Sequence, residues 1–162
     1  MKRHIFLIFS IISAIFIDIR AEQYYYFDHV TTTDGLQSNT IYCTLQDRNG
    51  FMWVGTRDGL SRYDGNAFRK MGDLAKGEGI GGNVFSIGED VEGKIWFSTP
   101  RGIHIYDPDT DQINSIGMLG EKSCFTIQTD VKGKVWVLTD KLFRFDCRVL
   151  KDMSTVWKLL PA

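Results

Sequence analysis

The sequence predicts an all-β chain assembled from repeated antiparallel sheets, and three observations carry that expectation. Asp47 to Asp64 (DRNGFMWVGTRDGLSRYD) aligns with Asp90 to Asp107 (DVEGKIWFSTPRGIHIYD) at an offset of 43, with seven of eighteen positions identical. Average residue usage supplies roughly one match in such a window. A third copy, DVKGKVWVLTDKLFRFD (Asp130 to Asp146), follows 40 residues after the second. Each copy breaks into short β-branched and aromatic runs bounded by turn residues, which is how strands read in a sequence.

The chain opens with MKRHIFLIFSIISAIFIDIRAEQ, a charged patch at Lys2 and Arg3, an apolar run from Ile5 to Ile17, and a polar step ending at Ala21. That order of features reads as a secretory signal peptide over residues 1–21. The run of 13 apolar residues is short of the ~20 needed to span a bilayer, so an uncleaved anchor is the lesser alternative. Ile19 departs from the small residue usual at a cleavage site, and cleavage after Ala21 leaves 141 residues. An exported, periplasmic location follows. The remaining chain reads as repeats over 22–150, with cores at 41–64, 84–107 and 124–146, and a tail at 151–162.

Within each core the recurring positions have mechanical reasons to recur. Asp47/Gly50, Asp90/Gly93 and Asp130/Gly133 place Asp first and Gly fourth in a type I turn whose last residue needs positive φ. The turn joins IYCTLQ to FMWVG, VFSIGE to KIWFS, and CFTIQT to KVWVL. A second turn, Thr56 to Gly59 and Thr99 to Gly102, leads into LSRYD and IHIYD; the third copy keeps Thr139, lacks the second glycine and is one residue shorter. More polar fourth strands are expected in AFRKM and QINSIGM. Apolar residues on both faces of these runs imply sheets covered on both sides. One tryptophan recurs per copy, Trp53, Trp96 and Trp136, as a large plate between neighbouring sheets, with Gly55 and Ser98 keeping an adjoining position small. Three or four strands per 40 to 43 residues is the period of a β-propeller blade, so the expectation is about three four-stranded blades in an incomplete ring.

The run GLQSNTIYCTLQDRNGFMWVGTRDGLSRYDG resembles the two-component-regulator propeller repeat, found in the exported sensor regions of hybrid two-component histidine kinases of Bacteroidetes. The resemblance spans about residues 24 to 150 and weakens from the first copy to the third. It implies that YYYFDHVTTTDGLQSN precedes the first blade with an opening strand that helps close a ring. It also implies further blades, a Y-shaped β-domain, an inner-membrane span, a kinase, a receiver and a DNA-binding domain, none of which this sequence contains. Three blades cannot close a ring of 4 to 8, so the sequence reads as a fragment whose other blades and homodimer partner belong to a full-length protein.

The function classes narrow accordingly. Net charge −1, pI near 6.3, 43% apolar and 13% aromatic residues describe a globular chain with no nucleic-acid partner. Cys43, Cys124 and Cys147 form no disulfide or metal-ligand spacing, and Cys43 and Cys124 read as buried thiols. His104 stands where the first copy has Ser61 and reads as a strand-surface residue. The Asp positions read as turn formers rather than an acid/base cluster, and DPDTD (Asp107 to Asp111) reads as a solvated turn rather than a calcium loop. The glycine-rich LAKGEGIGGN reads as a connection between blades. No catalytic residue, metal or cofactor is expected. The resemblance implies a ligand-sensing module for glycan-derived oligosaccharides, its binding residues unknown, with Tyr24, Tyr25, Arg57 and Arg101 as conceivable contributors. The alternatives are a secreted propeller lyase and an inactive truncated product.

Overall fold

The computed structural model describes residues 24–72, 80, 82–117 and 126–145. The leader, Cys124, Cys147, Asp146, the 151–162 tail and most of the glycine-rich connection lie outside these residues.

Among the described residues eleven strands form three antiparallel sheets, each in simple meander order. The first sheet is β1 (Ile41–Gln46), β2 (Met52–Thr56), β3 (Gly59–Tyr63) and β4 (Phe68–Lys70). The second is β5 (Ser86–Glu89), β6 (Ile95–Thr99), β7 (Gly102–Asp107) and β8 (Gln112–Gly117). The third runs β9 (Thr126–Thr129), β10 (Val135–Leu138) and β11 (Leu142–Phe145), so it has three strands among the described residues. No α-helix occurs among the described residues. The first strands, β1, β5 and β9, approach one another, and the sheets fan out from them as an open, unclosed arc of propeller blades.

Two apolar cores fill the spaces between sheets. Trp53 and Leu60 of the first sheet pack against Ile95, Phe97, Tyr106 and Ile113 of the second. Trp96, Ile103 and Ile105 of the second pack against Ile127, Val135, Val137, Phe143 and Phe145 of the third. The tryptophan geometry repeats: Trp53 meets Tyr106 at 5.2 Å and 51°, and Trp96 meets Phe145 at 5.2 Å and 48°. These are tilted pairs that add to the burial energy of both rings. The middle sheet is therefore covered on both faces, and β6 is buried throughout.

The conserved-looking turn owes its recurrence to more than φ. Asp47, Asp90 and Asp130 each spend one carboxylate oxygen on two backbone N–H groups of the turn, at 2.8 to 3.0 Å. The second oxygen accepts the indole N–H of Trp53, Trp96 or Trp136 at 2.7, 2.8 and 3.0 Å. A buried indole N–H needs such an acceptor, because it has no other way to replace its bond to water. Gly50, Gly93 and Gly133 close the turn at φ 88°, 85° and 73°, a region that side chains disfavour. The bond from Trp136, together with the turn N–H of Lys134, holds the Asp130 carboxyl below its ordinary range.

Two readings of the sequence change. The residues before the first blade form no strand: 24–30 are irregular, and Thr32–Asp34 form a single 3₁₀ turn. At the 3₁₀ turn the backbone donors are taken locally, Thr31 N by Asp34 Oδ2 at 2.8 Å and Thr32 N by Asn39 Oδ1 at 2.9 Å, which favours a turn over a ladder there. His104 is not a surface residue but 4% exposed. It lies on the face of β7 that Tyr106 turns towards the first sheet, stacks on Phe97 at 5.2 Å and bonds Thr99 Oγ1 through Nε2 at 3.0 Å.

Burial, and secondarily the nearby Arg101 charge, pushes the His104 pKa down to about 4. The unfolded chain has an ordinary imidazole near 6.5 and so binds the proton first. Stability is whole above that pH, falls as pH drops towards about 4, and loses no more to this group below it. His104→Phe, which copies Phe143 at the matching position of the third sheet, is expected to flatten that part of the profile. Urea midpoints between those two pH values check this, and an unchanged slope in the variant would assign the slope elsewhere.

Candidate functional site

Each sheet has two ends of different character. At the Asp-turn end, Arg48 reaches from the first sheet to the second. Its backbone N and Nε bond the Glu89 carboxylate at 3.0 and 2.5 Å, Nη1 bonds the Val91 carbonyl at 2.9 Å, and Nη2 bonds the Asp90 carbonyl. Further out, Arg69 of β4 makes a two-pronged bond to Asp111, at 3.0 and 2.7 Å, and Tyr106 donates to the same carboxylate at 2.9 Å. Asp111 is thus held below its ordinary pKa, first by Arg69 and then by Tyr106. The DPDTD run is an inter-sheet tie. Among the described residues no three His, Cys, Asp or Glu side chains gather as a metal site.

The Thr-turn end has the features of a binding surface. Thr56, Thr99 and Thr139 are buried, and each hydroxyl caps its turn by accepting a backbone N–H two residues on, at 3.1 to 3.2 Å. That arrangement lifts Arg57, Asp58, Pro100, Arg101, Asp140 and Lys141 into solvent. The same end carries the starts of the inner strands, since Arg57 N donates to Thr40 O at 3.0 Å and Val84 N to Thr56 O at 2.9 Å. There Tyr42 and Phe85, 44% and 36% exposed, bring their rings to 5.4 Å at 47°. An exposed aromatic pair beside cationic, anionic and backbone polar groups can stack an apolar ring face and bond its polar rim.

Arg57 and Arg101 therefore share one end of the arc. Tyr24 and Tyr25 are exposed in the irregular lead segment, where Tyr25 meets Phe27 at 6.5 Å. Tyr42 and Phe85 escape a reading of motifs because one sits inside β1 and the other immediately before β5, away from the turns. Their signal is the aromatic that recurs at the same register as Tyr42, Phe85 and Phe125, the last outside the described residues. Cys43, next to Tyr42, is half-buried and points its thiol towards the Val84 carbonyl at 3.6 Å. Burial pushes that thiol up to about 11, so it is a packing group rather than a nucleophile.

Repeated meander sheets, an indole wedge in each joint and turns clustered at one end define a β-propeller sensor-type domain. Residues 35–58 match the family Two component regulator propeller. The chain is similar to the extracellular domain of a hybrid two component system of B. thetaiotaomicron, with TM-score 0.65 and 25% identity over 80% of this chain and 18% of that one. A second such domain of that organism matches with TM-score 0.60 and 17% identity, over 84% of this chain and 17% of that one. Histidine kinase P4 of Formosa agariphila is 38% identical over 65 residues, 38% of this chain and 5% of the kinase. The chain thus spans less than a fifth of the length of each of these relatives.

The chain is homologous to the extracellular propeller domains of Bacteroidetes hybrid two component systems and carries their repeat. Those domains are extracellular, which accords with an exported, periplasmic location for this chain.

Proposed function

We propose that the chain serves as a ligand-sensing propeller segment of a hybrid two component sensor, with glycan-derived oligosaccharides as its ligand class. The observation that carries the ligand class is the Tyr42–Phe85 pair, exposed at the same end of the sheets as the turns that carry Arg57 and Arg101. A sugar ring has one relatively apolar C–H face and a rim of hydroxyls. Stacked aromatic plates suit the face, and the charged turn residues suit the rim. Binding there would fix the spacing of the first two sheets, because one ring of the pair comes from each. A sensor kinase elsewhere in a full-length protein would read that spacing.

Calorimetry with a panel of neutral oligosaccharides tests the reading. One member is expected to bind, and Tyr42→Ala or Phe85→Ala is expected to weaken it about tenfold, about 1.4 kcal/mol. Both residues are exposed enough for the fold to survive truncation. Binding that is unaffected by both changes would move the site elsewhere, and no binding by any member would end the oligosaccharide assignment.

A further inference from the structure

The outer part of the joint between the first and second sheets holds a positive charge with no counter-ion bonded to it. Arg62 of β3 stands on the face that the first sheet turns to the second, cross-strand from Trp53 on one side and from Arg69 of β4 on the other. Like charges directly opposite one another in a sheet repel. Arg69 is neutralised, because its two Nη groups bond the two oxygens of Asp111, and Tyr106 donates to the same carboxylate. Arg62 has no such bond.

The Arg62 guanidinium is oriented rather than paired. Its Cζ lies 4.5 Å over the Phe51 ring and 5.9 Å from the centre of the Trp53 ring. Ring faces attract the charge without replacing oxygen acceptors for the N–H groups. Its Nε is enclosed and has no hydrogen-bond partner. The residue as a whole is half-buried, so the Nη end of the fork is the part that meets solvent. Among the described residues it reaches Asp64, Tyr106 and Asp111 only through its field. Asp64 is exposed and turns Oδ1 back onto Asn66 N and Ala67 N, both at 2.8 Å.

We propose that the Arg62 fork is a binding site for the carboxylate group of a small molecule. A planar guanidinium presents two parallel N–H bonds at the spacing of carboxylate oxygens. Two arginines against Asp111 leave one positive charge over, which one carboxylate balances; a dianion overshoots and meets Asp111. Stacking on Phe51 holds the fork in place beforehand, so little ordering is lost on binding. Both sheets that build the site are described, and Arg62 lies one residue from the Tyr63 end of β3, whereas the Tyr42–Phe85 pair lies at the Thr-turn end. The site is thus separate from the aromatic one. A carboxylate there removes the repulsion between Arg62 and Arg69 and tightens the joint that the aromatic pair bridges.

Nitrogen-edited NMR of the full chain tests this, since the enclosed Nε–H is a direct reporter. Acetate, added at an ionic strength held constant with chloride, is expected to shift the Arg62 Nε and Trp53 Nε1 signals saturably, with Kd about 1–10 mM. Sulfate is expected to bind at least about tenfold more weakly. Arg62→Lys keeps a charge over Phe51 but has no fork, and should weaken acetate at least about tenfold while the signals of the other tryptophans stay in place. No saturation by about 100 mM acetate, a shift that chloride alone reproduces, sulfate binding as tightly as acetate, or a folded lysine variant that binds as tightly as the parent would each overturn the proposal. The parent titrations with acetate, chloride and sulfate decide it without the variant.

Discussion

Asp90→Ala is expected to remove about 3–5 kcal/mol of stability, a large part of the 5–15 kcal/mol typical of a domain. The side chain is 2% exposed and accepts three bonds, from Glu92 N, Lys94 N and Trp96 Nε1, at 2.9, 3.0 and 2.8 Å. Alanine leaves the Trp96 indole N–H with no acceptor at a site with no exposure, which costs about 1–3 kcal/mol by itself. The two turn N–H groups lose a charge-assisted acceptor as well. Asp90→Asn keeps one acceptor oxygen, enough for either the turn N–H groups or the indole but not both, and should recover part of the loss. Asp130→Ala should cost less, because Trp136 is half-buried and water can reach its N–H. Urea unfolding gives the ordering, and equal, sub-kilocalorie losses at both sites would show that the bond does not hold the joint.

Gly55→Ala is expected to cost about 2–3 kcal/mol although it adds one methyl group. A Cβ there would stand 2.5 Å from Cys43 Sγ, 2.9 Å from Val84 Cγ1 and 2.9 Å from the Val84 carbonyl oxygen. The thiol can swing aside, but the carbonyl is backbone and accepts from Cys43 as well. Relief therefore requires the first and second sheets to move apart. Gly72→Ala is the comparison, since its nearest atoms lie at 3.9 Å, and it should be near neutral. Cys43→Ala in the Gly55→Ala background should return part of the loss. If Gly55→Ala and Gly72→Ala unfold at the same urea concentration, close sheet packing at Gly55 is not a constraint.

The sheets were legible in the sequence because their cause is local and repeated. IYCTLQ is β1 to the residue, FMWVG and KIWFS cover β2 and β6 except for the closing threonine, and KVWVL contains β10. What the repeat could not give was anything decided across a joint. The bond from Asp to indole spans six residues and a turn, so recurrence marks both partners without linking them. His104 was misplaced for a related reason: where a sheet is covered on both faces, alternation no longer separates inside from outside. Tyr42 and Phe85 recur in register, yet their exposure follows from how the inner strands converge, which no single strand encodes.

The Arg48 tie carries a mechanical consequence. The first joint is clasped at its Asp-turn end by ionic and carbonyl bonds, whereas the corresponding place in the second joint holds only Val91 against Gly133. Arg48 is partly exposed, so dissolved ions loosen its clasp while leaving the apolar seam alone. The arc is thus a lever of two unlike hinges. The articulation that responds to ionic surroundings is the first, whose opposite end carries the aromatic pair that bridges the same two sheets.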